Sequence, residues 1–209
     1  MQAVFPRQHR LLTLRPRHAI LFCDSFAVGV IDIVSPFVKP LTVEEFLAWE
    51  RSQPARYEFD GIQPVAMTGG TLAHVRTITR LASALVNRVQ PPCEAFGPEL
   101  KVLTPGRVRY PDASVVCGAA DDAGDVVVPT AVFEVLPPST ALTDRRVKAL
   151  EYASVAAIMV YVLLEADRPE VTVLRRSTAW QAELIEGLDP TLALPEIGIT
   201  VPLAAIYRR

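Results

Sequence analysis

The sequence predicts a mixed α/β domain, a sheet with helices packed on its faces. Three observations lead there. Short apolar, β-branched runs such as 131–136 and 157–164 alternate along the chain with segments of helical spacing. Proline and glycine pairs punctuate them, at Pro91-Pro92, Pro105-Gly106 and Pro137-Pro138. Half of the 209 residues are hydrophobic, enough for one domain with a sizeable core.

The first 38 residues differ from the rest. They are rich in arginine and proline, then apolar without a sustained period, and Pro36 and Pro40 close the segment. We read an N-terminal extension, a poorly ordered arm or an added edge strand, ahead of a domain over 39–209. The apolar stretch 19–34 is interrupted by Asp24 and Asp32. A membrane span needs roughly 20 mostly apolar residues, so no membrane association is expected.

Thr42 followed by Glu45 forms a capping box, and Val43, Phe46, Leu47 and Glu50 keep helical spacing to about Arg51. Residues 56–59 read as a strand, Asp60-Gly61 as a tight turn and 63–67 as the partner strand. Thr71 caps a second helix, with His74, Val75, Ile78, Leu81, Leu85 and Val89 on one stripe. Pro91-Pro92 stops it.

Residues 99–103 and 107–116 read as strands, the second with Pro111 at an edge or bulge. An acidic loop follows at 121–125, then a central strand at 131–136. Thr143 caps a helix to about Ser154. The run 157–164 reads as a buried strand, and 170–175 with 180–186 as a C-terminal hairpin. Residues 187–196 read as a loop and 201–207 as a helical turn.

Net charge is -2 and the pI about 5.9, so any nucleic-acid contact must be local rather than spread over the surface. Cys23, Cys93 and Cys117 are widely spaced and form neither a zinc pattern nor a disulfide framework. That sparse, odd count fits a reducing compartment, and a cytoplasmic location is expected. No P-loop and no dinucleotide glycine pattern is present, so no organic cofactor is expected.

The chemistry-bearing residues lie between Arg109 and Lys148. Asp112 follows Pro111 where a strand turns apolar, and Glu134 stands among Val132, Phe133, Val135 and Leu136. A carboxylate in a buried strand is costly unless compensated. Two acids on neighbouring strands suit a hard divalent cation such as magnesium. They suit equally well a salt bridge for Glu134 and a turn cap for Asp112.

Lys148 lies one helical turn after Asp144. It is placed either to steady charge on a phosphate or simply to pair with Asp144. Glu58 is a further acid beside a turn. His74 begins a helix on its apolar side. Arg107, Arg109, Arg145 and Arg146 are candidates for phosphate contacts or for a solvated face.

Several of these segments together resemble a known family. They are Thr42 to Glu50, Arg56-Tyr57-Glu58, Arg109-Tyr110-Pro111-Asp112, Phe133 to Thr140, and Asp144 to Tyr152. In order and spacing they are similar to the Uma-two family of endonucleases, within the PD-(D/E)XK, or restriction-endonuclease-like, superfamily.

The resemblance implies a restriction-endonuclease-like mixed sheet flanked by helices. It also implies a magnesium- or manganese-dependent endonuclease acting on DNA. Asp112, Glu134 and Glu58 would be the metal ligands. Lys148 looks like the catalytic lysine displaced from strand to helix, because Leu136 stands at the superfamily's usual lysine position. Arg109, Arg145, Arg146 and His74 would meet nucleic acid, and a homodimer is expected for duplex cleavage. Leu136 and the acidic charge also motivate an alternative, an inactive nucleic-acid- or partner-binding module that keeps the fold.

Overall fold

The computed structural model describes residues 40–67, 69–119, 121–137 and 142–208, with the side chains of 142–145 outside the description. The expected N-terminal extension therefore lies outside the described residues, as do Ser139 and Thr140.

Helix α1 (Val43–Glu50) starts on the predicted capping box. Thr42 Oγ1 accepts from the Glu45 N–H at 3.2 Å, and the Glu45 carboxylate accepts from the Thr42 N–H at 2.8 Å. Strands β1 (Tyr57–Phe59) and β2 (Pro64–Ala66) form a hairpin. Its turn is held by Asp60 Oδ1, which accepts from Ile62 and Gln63 at 2.8 Å each, and Gly61 takes φ +92° there. Helix α2 (Leu72–Val86), capped by Thr71, buries Thr77, Leu81, Ala84 and Leu85.

Strands β3 (Cys93–Phe96), β4 (Lys101–Thr104), β5 (Arg107–Arg109), β6 (Ala113–Cys117), β7 (Val126–Val127) and β8 (Ala131–Leu136) follow. Helix α3 (Leu142–Ser154) then leads to β9 (Val160–Glu165), and β10 (Glu170–Arg175) pairs with β11 (Ala182–Glu186). The chain closes with β12 (Thr191–Leu194), β13 (Ile199–Pro202) and α4 (Leu203–Tyr207).

Two sheets organise these strands. The larger has the order β11-β10-β9-β8-β6-β3 and the smaller β2-β1-β5-β4-β7, while β12 and β13 pair separately. Only β8 and β9 run parallel within the larger sheet. Both are buried along their whole length, as continuous apolar runs require.

Side chains alternate across the sheet. Phe133 and Val135 join the main core with Leu81 and Leu85 of α2. Val132 and Leu136 point the other way and pack with Tyr152 of α3, Tyr161 and Val102. Glu134 shares that second face.

The structure departs from the sequence reading in four places. The run expected as one strand over 107–116 is two strands in two sheets, broken at Tyr110-Pro111-Asp112. Pro111 has no N–H to continue a ladder, so the chain leaves the small sheet and enters the large one there.

Strands β3, β7 and β12 arise where loops or nothing regular was expected. The helical turn expected at 201–207 is present as α4 but starts two residues later, after β13. Finally, Cys93 and Cys117 are joined by a disulfide. They lie 24 residues apart along the chain but face each other in the β3–β6 register. Spacing alone could not reveal that pairing. Among the described residues no helix is long and apolar enough to cross a membrane.

Candidate active site

The site forms where the two sheets meet. Glu58 comes from β1 of the small sheet, Asp112 from the crossing segment, Glu134 from β8 of the large sheet, and Lys148 from α3. With His74 and Leu136 they line a cavity of about 250 Å³. The break at Pro111 is what brings Asp112 to this junction.

Lys148 Nζ donates to Glu58 Oε1 and to Glu134 Oε1, at 3.2 Å each. Its ammonium therefore reaches the acid that Leu136, two residues further along the strand, cannot serve. Glu134 Oε1 also accepts from the Tyr152 hydroxyl at 3.0 Å. Asp112 Oδ2 accepts from the Val135 N–H at 2.6 Å. Among the described residues no hydrogen bond uses Asp112 Oδ1 or Glu134 Oε2.

His74 Nε2 donates to the Val135 carbonyl at 2.8 Å and lies 3.7 Å from Asp112 Oδ2. It is thus engaged with the site wall and the strand end.

A second layer fixes Glu58. Arg109, expected at the nucleic acid, is instead 6% exposed. It forks onto Glu151, from Nε to Oε2 at 2.7 Å and from Nη2 to Oε1 at 2.9 Å. Its third donor, Nη1, meets Glu58 Oε2 at 3.0 Å. Arg107 adds a bond to Glu151 at 2.6 Å, and the Tyr110 N–H reaches Glu58 Oε1 at 3.3 Å. Arg146 is exposed. The side chain of Arg145 lies outside the described residues.

The sequence reading missed Glu151 and Tyr152. The available signal was their spacing. They follow Lys148 by three and four residues, so all three lie on one face of α3.

The electrostatics are unbalanced. Four carboxylates, of Glu58, Asp112, Glu134 and Glu151, meet three fixed cations, Arg107, Arg109 and Lys148. Burial pushes the Asp112 carboxyl up to about 6, against the Val135 N–H and Lys148, with Glu58 adding to the rise. Burial likewise pushes Glu134 up to about 7, opposed by Lys148 and reinforced by Asp112 and Glu58.

Burial alone would lower Lys148. Glu134 and Glu58 outweigh it and hold the amine well above its ordinary range. Two acids whose burial favours the protonated form therefore share one cavity with a charged amine.

Two oxygen donors, from Asp112 and Glu134, suit a hard cation that completes its shell with water and phosphate. Among the described residues no three His, Cys, Asp or Glu side chains converge as a full cage. Magnesium rarely uses such a cage.

Residues 43–204 match the model of a family described as "Putative restriction endonuclease", Uma2. The chain belongs to the Uma2 family. An uncharacterized protein of Synechocystis sp., slr1290, is 31% identical over 181 residues, covering 83% of this chain and 94% of that one. The fold is similar to a crystal structure described as a putative nuclease belonging to DUF820, from Anabaena variabilis. That match has a TM-score of 0.67 at 18% identity and covers 80% of this chain and 98% of the other. Uma2 membership agrees with the resemblance drawn from the sequence, and the structural likeness with the expected fold.

Proposed function

We propose that this Uma2 protein is a magnesium- or manganese-dependent endonuclease that hydrolyses phosphodiester bonds of DNA. One observation carries the reading. Three carboxylates, of Glu58, Asp112 and Glu134, share a cavity with a lysine, and among the described residues Asp112 and Glu134 each keep one oxygen with no hydrogen bond.

Asp112 and Glu134 would hold the ion, with Glu58 as a third acid. When bound, a divalent ion there supplies a Lewis acid for a phosphoryl oxygen and lowers the pKa of water. The protein's own groups do the rest. The Val135 N–H fixes the Asp112 carboxylate. The Tyr152 hydroxyl and Lys148 orient Glu134. Lys148 stays charged and meets the negative charge that grows on the phosphate in the transition state. Arg145 and Arg146 would grip the backbone, and a homodimer would set two sites on a duplex.

The test is nicking of supercoiled plasmid DNA with and without magnesium. Asp112→Ala and Glu134→Ala should each abolish magnesium-dependent nicking while the circular dichroism stays native. Unchanged nicking would remove them from the mechanism. The Lys148 bridge between Glu58 and Glu134 also favours a second reading, a nuclease fold kept for binding alone, since an amine already partly satisfies both acids. DNA binding without cleavage and without magnesium dependence would select it.

A further inference from the structure

Lys148 reaches the site from a helix, on a flexible four-carbon stem. A lysine on β8 would be held by the sheet ladder. A lysine on α3 is placed only as well as the rotation of α3 is fixed. Each residue turns a helix by about 100°, so a modest rotation would swing the ammonium off both acids.

Tyr152 packs α3 onto the sheet, and Glu151, three residues on from Lys148 and on the same face, adds a charged anchor against this rotation. It receives three N–H groups, two from the Arg109 fork and one from Arg107. Both arginines stand on β5, two residues apart and so on the same side of the strand. Arg109 then passes its remaining donor to Glu58, which also holds Lys148. The result is a closed loop, from α3 through Glu151, Arg109, Glu58 and Lys148 back to α3. A planar guanidinium with its donors committed in fixed directions transmits orientation where an amine would not.

We propose that Arg109 and Glu151 are positioning residues, whose buried ion pair sets the rotation of α3 and so holds the Lys148 ammonium between Glu58 and Glu134. Neither touches substrate in this reading. It rests on the nuclease proposal only for its kinetic consequence, since the placement itself is independent of activity.

Lysine labelling tests the placement directly, because the chain has only three lysines, Lys39, Lys101 and Lys148. Trinitrobenzenesulfonate labelling of the intact protein, mapped by peptide mass spectrometry, reads each one. Lys101, buried between Glu50 and Asp125, serves as an internal reference for the fold.

In Arg109→Gln and in Glu151→Gln, Lys148 should label about tenfold faster than in wild type, as a local opening does, while Lys101 stays protected. Arg109→Lys, which keeps the charge and loses the fork, should fall between. Lys148 remaining protected in both glutamine variants overturns the proposal. So does simultaneous labelling of Lys101, which marks general loosening rather than lost position.

Kinetics provide the second arm. Glu151→Gln should lower kcat roughly 10²-fold, the effect of a misplaced group, with KM for DNA unchanged. The double variant should be no worse than the weaker single one, as for residues acting as a unit. A raised KM with kcat kept in Arg109→Gln would make Arg109 a phosphate contact and overturn the proposal. Absence of nicking by the wild type retires the nuclease reading, and the labelling then decides the positioning on its own.

Discussion

Two clusters of acids and bases lie on either side of Tyr110, and they are built to opposite ends. Toward α1, Lys101 sits between Glu50 and Asp125, at 3.2 Å from Glu50 Oε2. Glu50 Oε1 accepts from the Tyr110 hydroxyl at 2.6 Å and the Tyr57 N–H at 3.3 Å, so both oxygens are engaged. Lys101 pulls Asp125 below its ordinary range.

Toward α3, the Tyr110 N–H supports Glu58. There Asp112 and Glu134 are pushed up, and each keeps an oxygen with no bond among the described residues. The first cluster is satisfied and ties α1, β4 and β5 together. The second leaves carboxylate oxygens without a bond in a cavity. Buried charge serves structure when its partners are complete. It suits ligand binding when one partner is missing.

The sharpest way to break this contrast is to empty each cluster. Glu134→Ala or Asp112→Ala should lower magnesium-dependent nicking by roughly 10³-fold, measured on plasmid DNA, with the urea midpoint held or raised. Lys101→Ala should do the reverse. It strands a buried Glu50 and should cost about 3–5 kcal/mol in urea unfolding, with nicking per folded molecule retained. Equal stability losses in the two sets would erase the distinction.

pH should separate the clusters next. Asp112 and Glu134 are raised in the folded state, so their contribution is fully present below the ordinary carboxyl range near 4. It is lost as pH rises through about 6 and about 7. For this coupled pair the loss is on the order of 3 kcal/mol, read as a falling urea midpoint between pH 5 and pH 8.

Millimolar magnesium should restore the midpoint at pH 8 and do little at pH 5, where protons already occupy the acids. Asp125 has the opposite sign. Its lowered value adds stability above the ordinary carboxyl range, lost only as pH falls through the folded value. A fall from pH 5 to pH 8 as large in Glu134→Ala as in the wild type would contradict the assignment of the site.

The smallest effect should come from Thr42→Ala. It removes the capping box of α1, the helix that carries Glu50, and should cost about 1 kcal/mol. Nicking should not change, because the cap supports only the satisfied cluster. A loss of activity beyond the loss of folded protein would show that the clusters are coupled through Tyr110.

What could be read in advance was local. The box at Thr42 and Glu45, the Asp60-Gly61 turn and the stripe of α2 are set by neighbours three or four residues apart. The apolar run over 131–136 marked Glu134 as a carboxylate inside a buried strand. The resemblance brought Asp112, Glu134, Glu58 and Lys148 forward as a set. Arg109 illustrates the limit. Its sequence neighbours allow a phosphate contact as readily as a buried pair, and only the packing of α3 on β5 brings Glu151 within 2.7 Å of it.

By itself, then, the sequence determined the longer helices and the buried strands at 131–136 and 160–165, because 3.6- and 2-residue periods are properties of the backbone. Tertiary structure alone decided which charges meet. Lys148 and Glu58 are 90 residues apart along the chain and 3.2 Å apart in space. The split at Pro111, which sends β5 and β6 into different sheets, and the Cys93–Cys117 bridge were settled in the same way. Strand pairing is a non-local choice made by the whole core, and no short window of sequence contains it.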